Sequence, residues 1–409
     1  MTANPTPWHT DRWFTSPWNH APDVAETFTF PDSVQVHDVT LRDGEQQAGV
    51  VFNADEKMRI AEGLAEAGVH RIEAGLPAVY ESDAQAVRRI ASAGLPSTVY
   101  AFSRCIVDDV KRALDCGVDG VVMEIPSSRH LIELGYRWSV DRAVDASIEA
   151  TKFAHDNGLL VSFFPIDATR AAVEDYLNLV ERVARDGHVD GLGLVDTFGV
   201  LTPHAVERFV HASKERLNVS LETHFHMDYG LGIANTLMAV AAGADVVQTT
   251  IAGIGERAGN TPMEEVVMAL LTLYNRDIGI KTEKLTPLAR MVGELSGVAQ
   301  PANRAVTGTR LFDVESGIIA SWVRNVRDTD RTEALPYLPE LVGQSGPGIV
   351  LGKGSGLDNI VDALERLGLS ATEEQRDTIL QRVKQRSLET KRLLDDDEFT
   401  AIVNDVVAG

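Results

Sequence analysis

An α/β fold, a (β/α)8 TIM barrel followed by a helical C-terminal appendage, is predicted by three observations in this 409-residue chain. Between residues 34 and 275, short β-branched runs alternate with longer amphipathic ones, as the covered crossovers of a parallel sheet require. The alternation repeats over about 240 residues, the length of one closed barrel. After residue 275 the β-branched runs stop, and helical stretches separated by Gly- and Pro-rich loops take over. A doubly wound open sheet would share the alternation, but no GxGxxG follows the first run.

The strand candidates, in order, are "VQVHDV", "HRIEAG", "STVYAF" and "GVVMEI", then "LLVSFF", "DGLGLVD", "VSLETHFH" and "ADVVQTTI". Helix-like segments separate them. In "ADEKMRIAEGLAEAG", Met58, Ile60, Ala61, Leu64 and Ala67 share one face at the helical period. Gly, Pro, Ser or Asp follow several strands, where a chain must turn and cap its next helix. Beyond the barrel, "LTPLARMVGELSGV" and "DNIVDALERLGL" read as helices, and the last forty residues as two or three more. The expected organisation is an N-terminal arm over 1–33, a barrel over 34–275 and helical subdomains over 276–409. Trp8, Trp13 and Trp18 leave two readings of the arm: clamped on the body or a partner subunit, or poorly ordered.

Composition narrows the function classes. Acids outnumber bases 60 to 38, for a net charge of -22, which repels phosphate backbones and excludes nucleic acid as an expected partner. Cys105 and Cys116 have no zinc-type spacing and read as reduced thiols of a cytoplasmic protein. No apolar run reaches the roughly 18 residues that span a bilayer, and the N-terminus has no apolar signal core. No membrane partner is expected.

A barrel presents its chemistry at the C-terminal ends of its strands. The first strand runs into "HDVTLRDGEQQ", with Arg42, Asp43, Glu45 and Gln46, and the second ends at Glu73. "EIPSSRH", "PIDATR" and "DTFG" close strands four to six, and "IAGIGERAGN" follows strand eight. The seventh carries "THFHMDYG". Side chains two apart on a strand share a face, so His224 and His226 point one way and Phe225 the other. Two imidazoles and a carboxylate with open positions suit a divalent ion that also binds substrate, and Asp43 is the natural carboxylate. The pair alone also describes two hydrogen-bonded interior histidines; Asp43 and the barrel context favour the metal.

Together "HDVTLRDGEQ", "IEAGLPAV", "HFHMD" and "GIGERAGNTPMEEVVMAL" resemble the metal-dependent TIM-barrel acyltransferase/lyase superfamily. The resemblance is to its condensing branch, the isopropylmalate, homocitrate and citramalate synthases, and runs from residue 34 to the C-terminus, including "QPANRAVTG" and "LGKGSGLDNIVDALERLG". The lyase branch, typified by 3-hydroxy-3-methylglutaryl-CoA lyase, carries a cysteine in the loop that here reads "GIGERAGN". The resemblance implies Asp43, His224 and His226 as ligands of Mg, Mn or Zn, with Asn260 beside them or in the outer coordination. It implies that Arg42 neutralises a developing alkoxide, that Thr197 binds the substrate carboxylate, and that Gln46, Glu73, Ser128 and His130 line the pocket. Glu256, with Arg257, is implied either as a catalytic group or as half of a buried ion pair. The implied reaction condenses acetyl-CoA, the co-substrate, with a 2-oxo acid to a 2-hydroxy-2-substituted dicarboxylate, in a homodimer.

Several residues depart from the resemblance. Ile319 stands where a histidine is usual, as do Val314 and Gly354; Ala334 replaces a tyrosine, with Tyr337 nearby; Ile166 replaces a glutamate and Met227 an asparagine. Apolar groups transfer no protons. The expectation is therefore a synthase with an unusual substrate or with proton transfer moved to His130, Tyr337 or Glu256. A lyase or aldolase, or a catalytically altered homologue, stays open. The leucine-binding regulatory domain common in isopropylmalate synthases is not expected.

Overall fold

The run "VQVHDV" forms β1 (Gln35–Asp38) in the computed structural model, which describes residues 6–408. Next come β2 (Arg71–Glu73), β3 (Thr98–Arg104), β4 (Gly120–Pro126) and β5 (Leu160–Ile166). The ring is completed by β6 (Gly191–Asp196), β7 (Ser220–Phe225) and β8 (Val246–Thr249). β1 pairs in parallel with both β2 and β8, Val36 opposite Val247 and Asp38 opposite Thr249, so the barrel closes as predicted. Closure under a layer of helices explains the apolar strands: both faces are covered, and β6 is buried at every position.

Helix α1 (Pro22–Ala25) precedes the barrel. Between the strands lie α2 (Ala54–Ala67), α3 (Glu81–Ala91), α4 (Val107–Leu114) and α5 (Val140–Asp156), then α6 (Val173–Asp186), α7 (Pro203–Arg216) and α8 (Gly232–Ala241). After β8 come α9 (Met263–Leu273) and α10 (Leu285–Ser296). The five residues assigned to one face of α2 are all buried, each large aliphatic contributing about 1.5–3 kcal/mol. Its start is encoded locally. The Asn53 side chain accepts from the amides of Asp55 and Glu56, while the Glu56 carboxylate accepts from the Asn53 amide.

The chain forms two compact units. One is Trp18–Gln300; the other joins the segment through Pro17 to Pro301–Gly409. The expected barrel boundary at 275 thus falls short by α10, which buries Leu285, Leu288, Ala289 and Val292. It sits so close to α2 that a methyl at Gly63 would meet Leu288 and Met291. The expected arm also divides, because the Thr29 amide donates to the Ala241 carbonyl of the barrel unit at 2.7 Å. Residues 6–17 instead pair along 336–338: the Phe14 amide donates to Pro336 O, and the Leu338 amide to Arg12 O. Trp13 is buried there and donates from Nε1 to Pro7 O at 3.0 Å, whereas Trp18 is exposed.

In the second unit a two-residue ladder, β9 (Asp313–Val314) with β10 (Gly348–Ile349), was too short to show in the sequence pattern. The helices are α11 (Gly317–Val326), α12 (Leu357–Leu367), α13 (Glu373–Thr390) and α14 (Asp396–Ala408). Ile360, Leu364, Ile379, Val383 and Phe399 form the core of this unit. Cys105 and Cys116 are free and buried, and burial pushes the Cys105 thiol up to about 12. Among the described residues, no helix is long and apolar enough to cross a membrane.

At the end of β1, Asp38 braces the turn that carries the first-strand motif. It accepts from the Thr40 amide at 2.9 Å and the Thr40 hydroxyl at 3.0 Å, and that hydroxyl accepts from the Ile251 amide after β8. Burial, working against those two hydrogen bonds, raises the Asp38 carboxyl from 3.8 to about 7. The folded state therefore holds a proton that the unfolded chain has released, and this group's contribution to stability is lost as pH rises through that window. Asp38→Asn is expected to gain stability relative to the parent between pH 4.5 and pH 8, by on the order of a few kcal/mol. Urea unfolding at both pH values checks this; a pH-independent difference would count against it.

Candidate active site

The barrel rim brings Asp43, His224 and His226 together. One ligand atom from each lies within 4.8 Å of the others, and all three residues are buried. The two histidine Nε2 atoms are 3.2 Å apart, and Asp43 Oδ2 lies 3.6 Å from the first and 4.0 Å from the second. The period-2 reading of β7 holds: His224 and His226 share a face, and Phe225 is buried on the other side. Burial keeps both imidazoles neutral, lowering His224 to about 3 and His226 in the same direction. Burial also works against the charge on Asp43, but Arg42 and the two histidines outweigh it and hold the carboxyl well below its usual range.

Asn260 completes the cluster. Its Nδ2 donates to Asp43 Oδ1 at 2.6 Å, and its buried Oδ1 has no hydrogen-bond partner among the described residues. The loop "GIGERAGN" folds back to place it, and two glycines are required there. A Cβ at Gly255 (φ +151) would fall 2.2 Å from Asn260 Nδ2, and one at Gly259 (φ +87) 2.0 Å from Gly253 O. A carboxylate, two neutral imidazoles with their Nε2 atoms converging and an orphaned amide oxygen are a donor set that fits a divalent cation.

The sequence reading missed the residue that orients His224. Gln248 Oε1 accepts from His224 Nδ1 at 3.0 Å, while Gln248 Nε2 donates to Glu222 Oε2 at 3.0 Å. Glu222 also pairs with Arg71 at 2.9 Å and lies 3.5 Å from His37 Nδ1. Burial alone would raise the Glu222 carboxyl, but His37 and Arg71 bring it down to about 2, so it accepts only. An acceptor at Glu222 forces the amide orientation of Gln248, which places the His224 proton on Nδ1 and leaves Nε2 free to ligate. The available signal was the same period of two that exposed the histidines, since Glu222 precedes His224 by two residues. Gln248→Leu is expected to weaken metal affinity about 10- to 100-fold, read by chelator competition; unchanged affinity would remove Gln248 from this role.

Arg42 is buried beside the cluster. Its Nε donates to Glu73 at 2.6 Å, its Nη1 to Asp43 at 2.7 Å and to Gln46 Oε1 at 3.3 Å, and its guanidinium lies 4.4 Å from the Phe102 ring centre. Burial opposes its charge, but Glu73 and Asp43 outweigh that effect and raise it further.

A cavity of about 320 Å³ opens above these groups, with Arg42, Asp43, Gln46, Thr197, His224, His226 and Glu256 on its wall. Glu73 does not line it; both its oxygens face Arg42. Ser128 and His130 lie outside the lining too, grouped on the buried Asp167 at 2.5 and 3.0 Å, with Arg170 on the same carboxylate. Thr197 Oγ1 accepts from the Asp167 amide at 2.8 Å and keeps its proton to donate. Glu256 and Arg257 pair at 3.4 Å, but half-exposed at the rim and not as a buried pair, because Arg257 turns toward Asp228 at 2.9 Å. The cavity also takes in residues to which sequence reasoning gave no role, among them Arg104, Glu124, Tyr136 and Phe164. Ile319 and Ala334 belong to the second compact unit.

Residues 33–292 match the family described as HMGL-like. Homocitrate synthase AksA of Methanopyrus kandleri is 42% identical over 386 residues, covering 94% of this chain and 95% of that protein. A probable 2-isopropylmalate synthase of the same organism is 40% identical over 355 residues, or 87% of this chain and 70% of that protein. The crystal structure of an HMG-CoA lyase from Bacillus subtilis superposes with a TM-score of 0.60 at 21% identity, covering 66% of this chain and 96% of that one. At that identity the likeness speaks for the barrel alone.

Proposed function

Because this chain belongs to the HMGL-like family, in its condensing branch, we propose that it transfers the acetyl group of acetyl-CoA to C2 of a 2-oxo acid. The observation that carries this reading is the buried Asp43–His224–His226 cluster beside Arg42 on the floor of one cavity. Asp43, His224 and His226 would hold Mg, Mn or Zn, with Asn260 beside them, and the ion would supply Lewis acidity toward the ketone. In the reaction, a methyl C–H bond of acetyl-CoA breaks and its electron pair forms the bond to C2. The ketone π pair moves onto oxygen, which takes a proton, and water then releases CoA as the free thiol.

The roles of this chain's residues follow from where they lie. The permanently charged Arg42 offsets the charge that grows on the former ketone oxygen. Gln46 engages Arg42 through Oε1, so its amide NH2 is left for the acid, and Thr197 donates to the acid's carboxylate. Glu256 lines the cavity with a half-exposed carboxylate and is assigned removal of the methyl proton. His130, held on Asp167 beside Ser128 outside the cavity lining, is given no proton transfer. Glu73 acts by holding Arg42 in place.

The test incubates purified protein with Mg²⁺, Mn²⁺ or Zn²⁺, acetyl-CoA and a panel of 2-oxo acids. Release of thiol with at least one acid is expected. No thiol with any acid, from protein shown to contain metal, would overturn the synthase reading. A homodimer belongs to the same proposal: Ile318 and Trp322 leave apolar surface exposed on α11, which a second copy would cover. Light scattering that reports a monomer at micromolar concentration would refute it.

A further inference from the structure

We propose that the cavity selects a 2-oxo acid bearing one carboxylate and a bulky apolar side chain, and that Glu124, held by Tyr136, turns away a second carboxylate. This rests on the synthase reading above and names its substrate class.

The charges around the cavity carry the inference. A dicarboxylic 2-oxo acid needs a cation for its distal carboxylate, and two arginines line the wall. Neither is free. Arg42 is spent on Glu73 and Asp43. Arg104 forms a two-pronged pair with Asp109, Nε at 2.6 Å and Nη2 at 2.9 Å.

Glu124 is the opposite case, a carboxylate on the cavity wall that Arg42 and Arg104 influence without pairing with it directly. On β4 it stands in register between Arg104 of β3 and Phe164 of β5. Its partner is the Tyr136 hydroxyl, which donates to Oε1 at 2.8 Å, and among the described residues it forms no ion pair. Burial pushes its carboxyl up, against the Tyr136 hydrogen bond and the charges of Arg42 and Arg104. A second carboxylate brought beside Glu124 would add like charge where each arginine of the wall is already paired with an acid.

One stretch of the wall is apolar. Phe164 and Val195 pack with Val122 and Tyr100, and Phe102 and Ile166 pack against that group. Ile166 follows Phe164 by two on β5, so both face the interior. An aromatic or branched aliphatic side chain would find contact along this wall; a polar one would lose its water without a partner.

The experiment is calorimetric titration of the full-length, Mn²⁺-loaded protein with phenylpyruvate, 2-oxoisocaproate and 2-oxoglutarate, without acetyl-CoA. At least one of the first two should bind about tenfold or more tightly than 2-oxoglutarate. Equal or tighter binding of 2-oxoglutarate would overturn the proposal and leave the synthase reading standing, whereas failure of every 2-oxo acid to bind would overturn the synthase reading itself. In Glu124→Gln the preference against 2-oxoglutarate should fall by about fivefold or more; an unchanged preference removes Glu124 from the role. If that variant does not fold, Tyr136→Phe is read instead. It removes the donor that favours the charged carboxylate and should weaken the preference, and an unchanged or sharpened preference overturns the proposal.

Discussion

Replacing His224 by alanine is expected to abolish binding of divalent metal while leaving the barrel folded. The variant removes one of three converging ligand atoms, which should cost more than the 10- to 100-fold typical of losing a ligand's supporting hydrogen bond. The change also strands Gln248 Oε1, whose partner is His224 Nδ1, and an unmet buried acceptor costs about 1–3 kcal/mol. That is a fraction of a typical domain's stability, so circular dichroism should report a folded protein with a lowered Tm. Metal content after desalting is the direct measurement. The parent's Tm should rise with added Mn²⁺, because a ligand that binds only the folded state stabilises it, and the variant's should not. Full metal occupancy or full turnover in the variant would remove His224 from the site.

Arg42→Ala is expected to separate metal binding from turnover. Asp43 keeps its hydrogen bond from Asn260 in this variant, and both histidines are untouched, so the cation should still bind. Turnover should fall by about 10²- to 10³-fold, the usual loss when one preorganised charge is removed from the oxygen that becomes anionic. Stability should fall as well. Glu73 is fully buried, and Arg42 is the partner of both its oxygens; breaking such a pair costs about 3–5 kcal/mol. Arg42→Lys keeps the charge but cannot reach Glu73 and Asp43 together as the planar fork does, and should fall between the two. Thiol release, metal content and Tm measured on the same preparations make the test. Undiminished thiol release would sink the assignment. Loss of metal along with turnover would instead make Arg42 a support of the cluster.

Much of this site was legible before any fold was known, because two local rules carry far. Alternation along a strand put His224 and His226 on one face, and the rule that barrels work at strand ends singled out Arg42, Asp43, Thr197 and the loop through Asn260. The boundaries were less legible. The helical period of α10 is the same whether it covers the barrel or belongs to the next unit, and only its packing against α2 decides.

Periodicity and motifs within single strands and loops were enough to read the βα units, to favour a barrel over an open sheet, and to put His224 and His226 on one face. Which inward residues meet became visible only in the folded chain. Gln248 between His224 and Glu222, Arg104 committed to Asp109, Glu124 facing the cavity with Tyr136, and Ser128 with His130 on Asp167 all join different strands or strand ends and the segments that follow them. The physical reason is that a period fixes the direction of a side chain but not its neighbour. The neighbour depends on the register between strands and on how the ring closes, and no single segment encodes either.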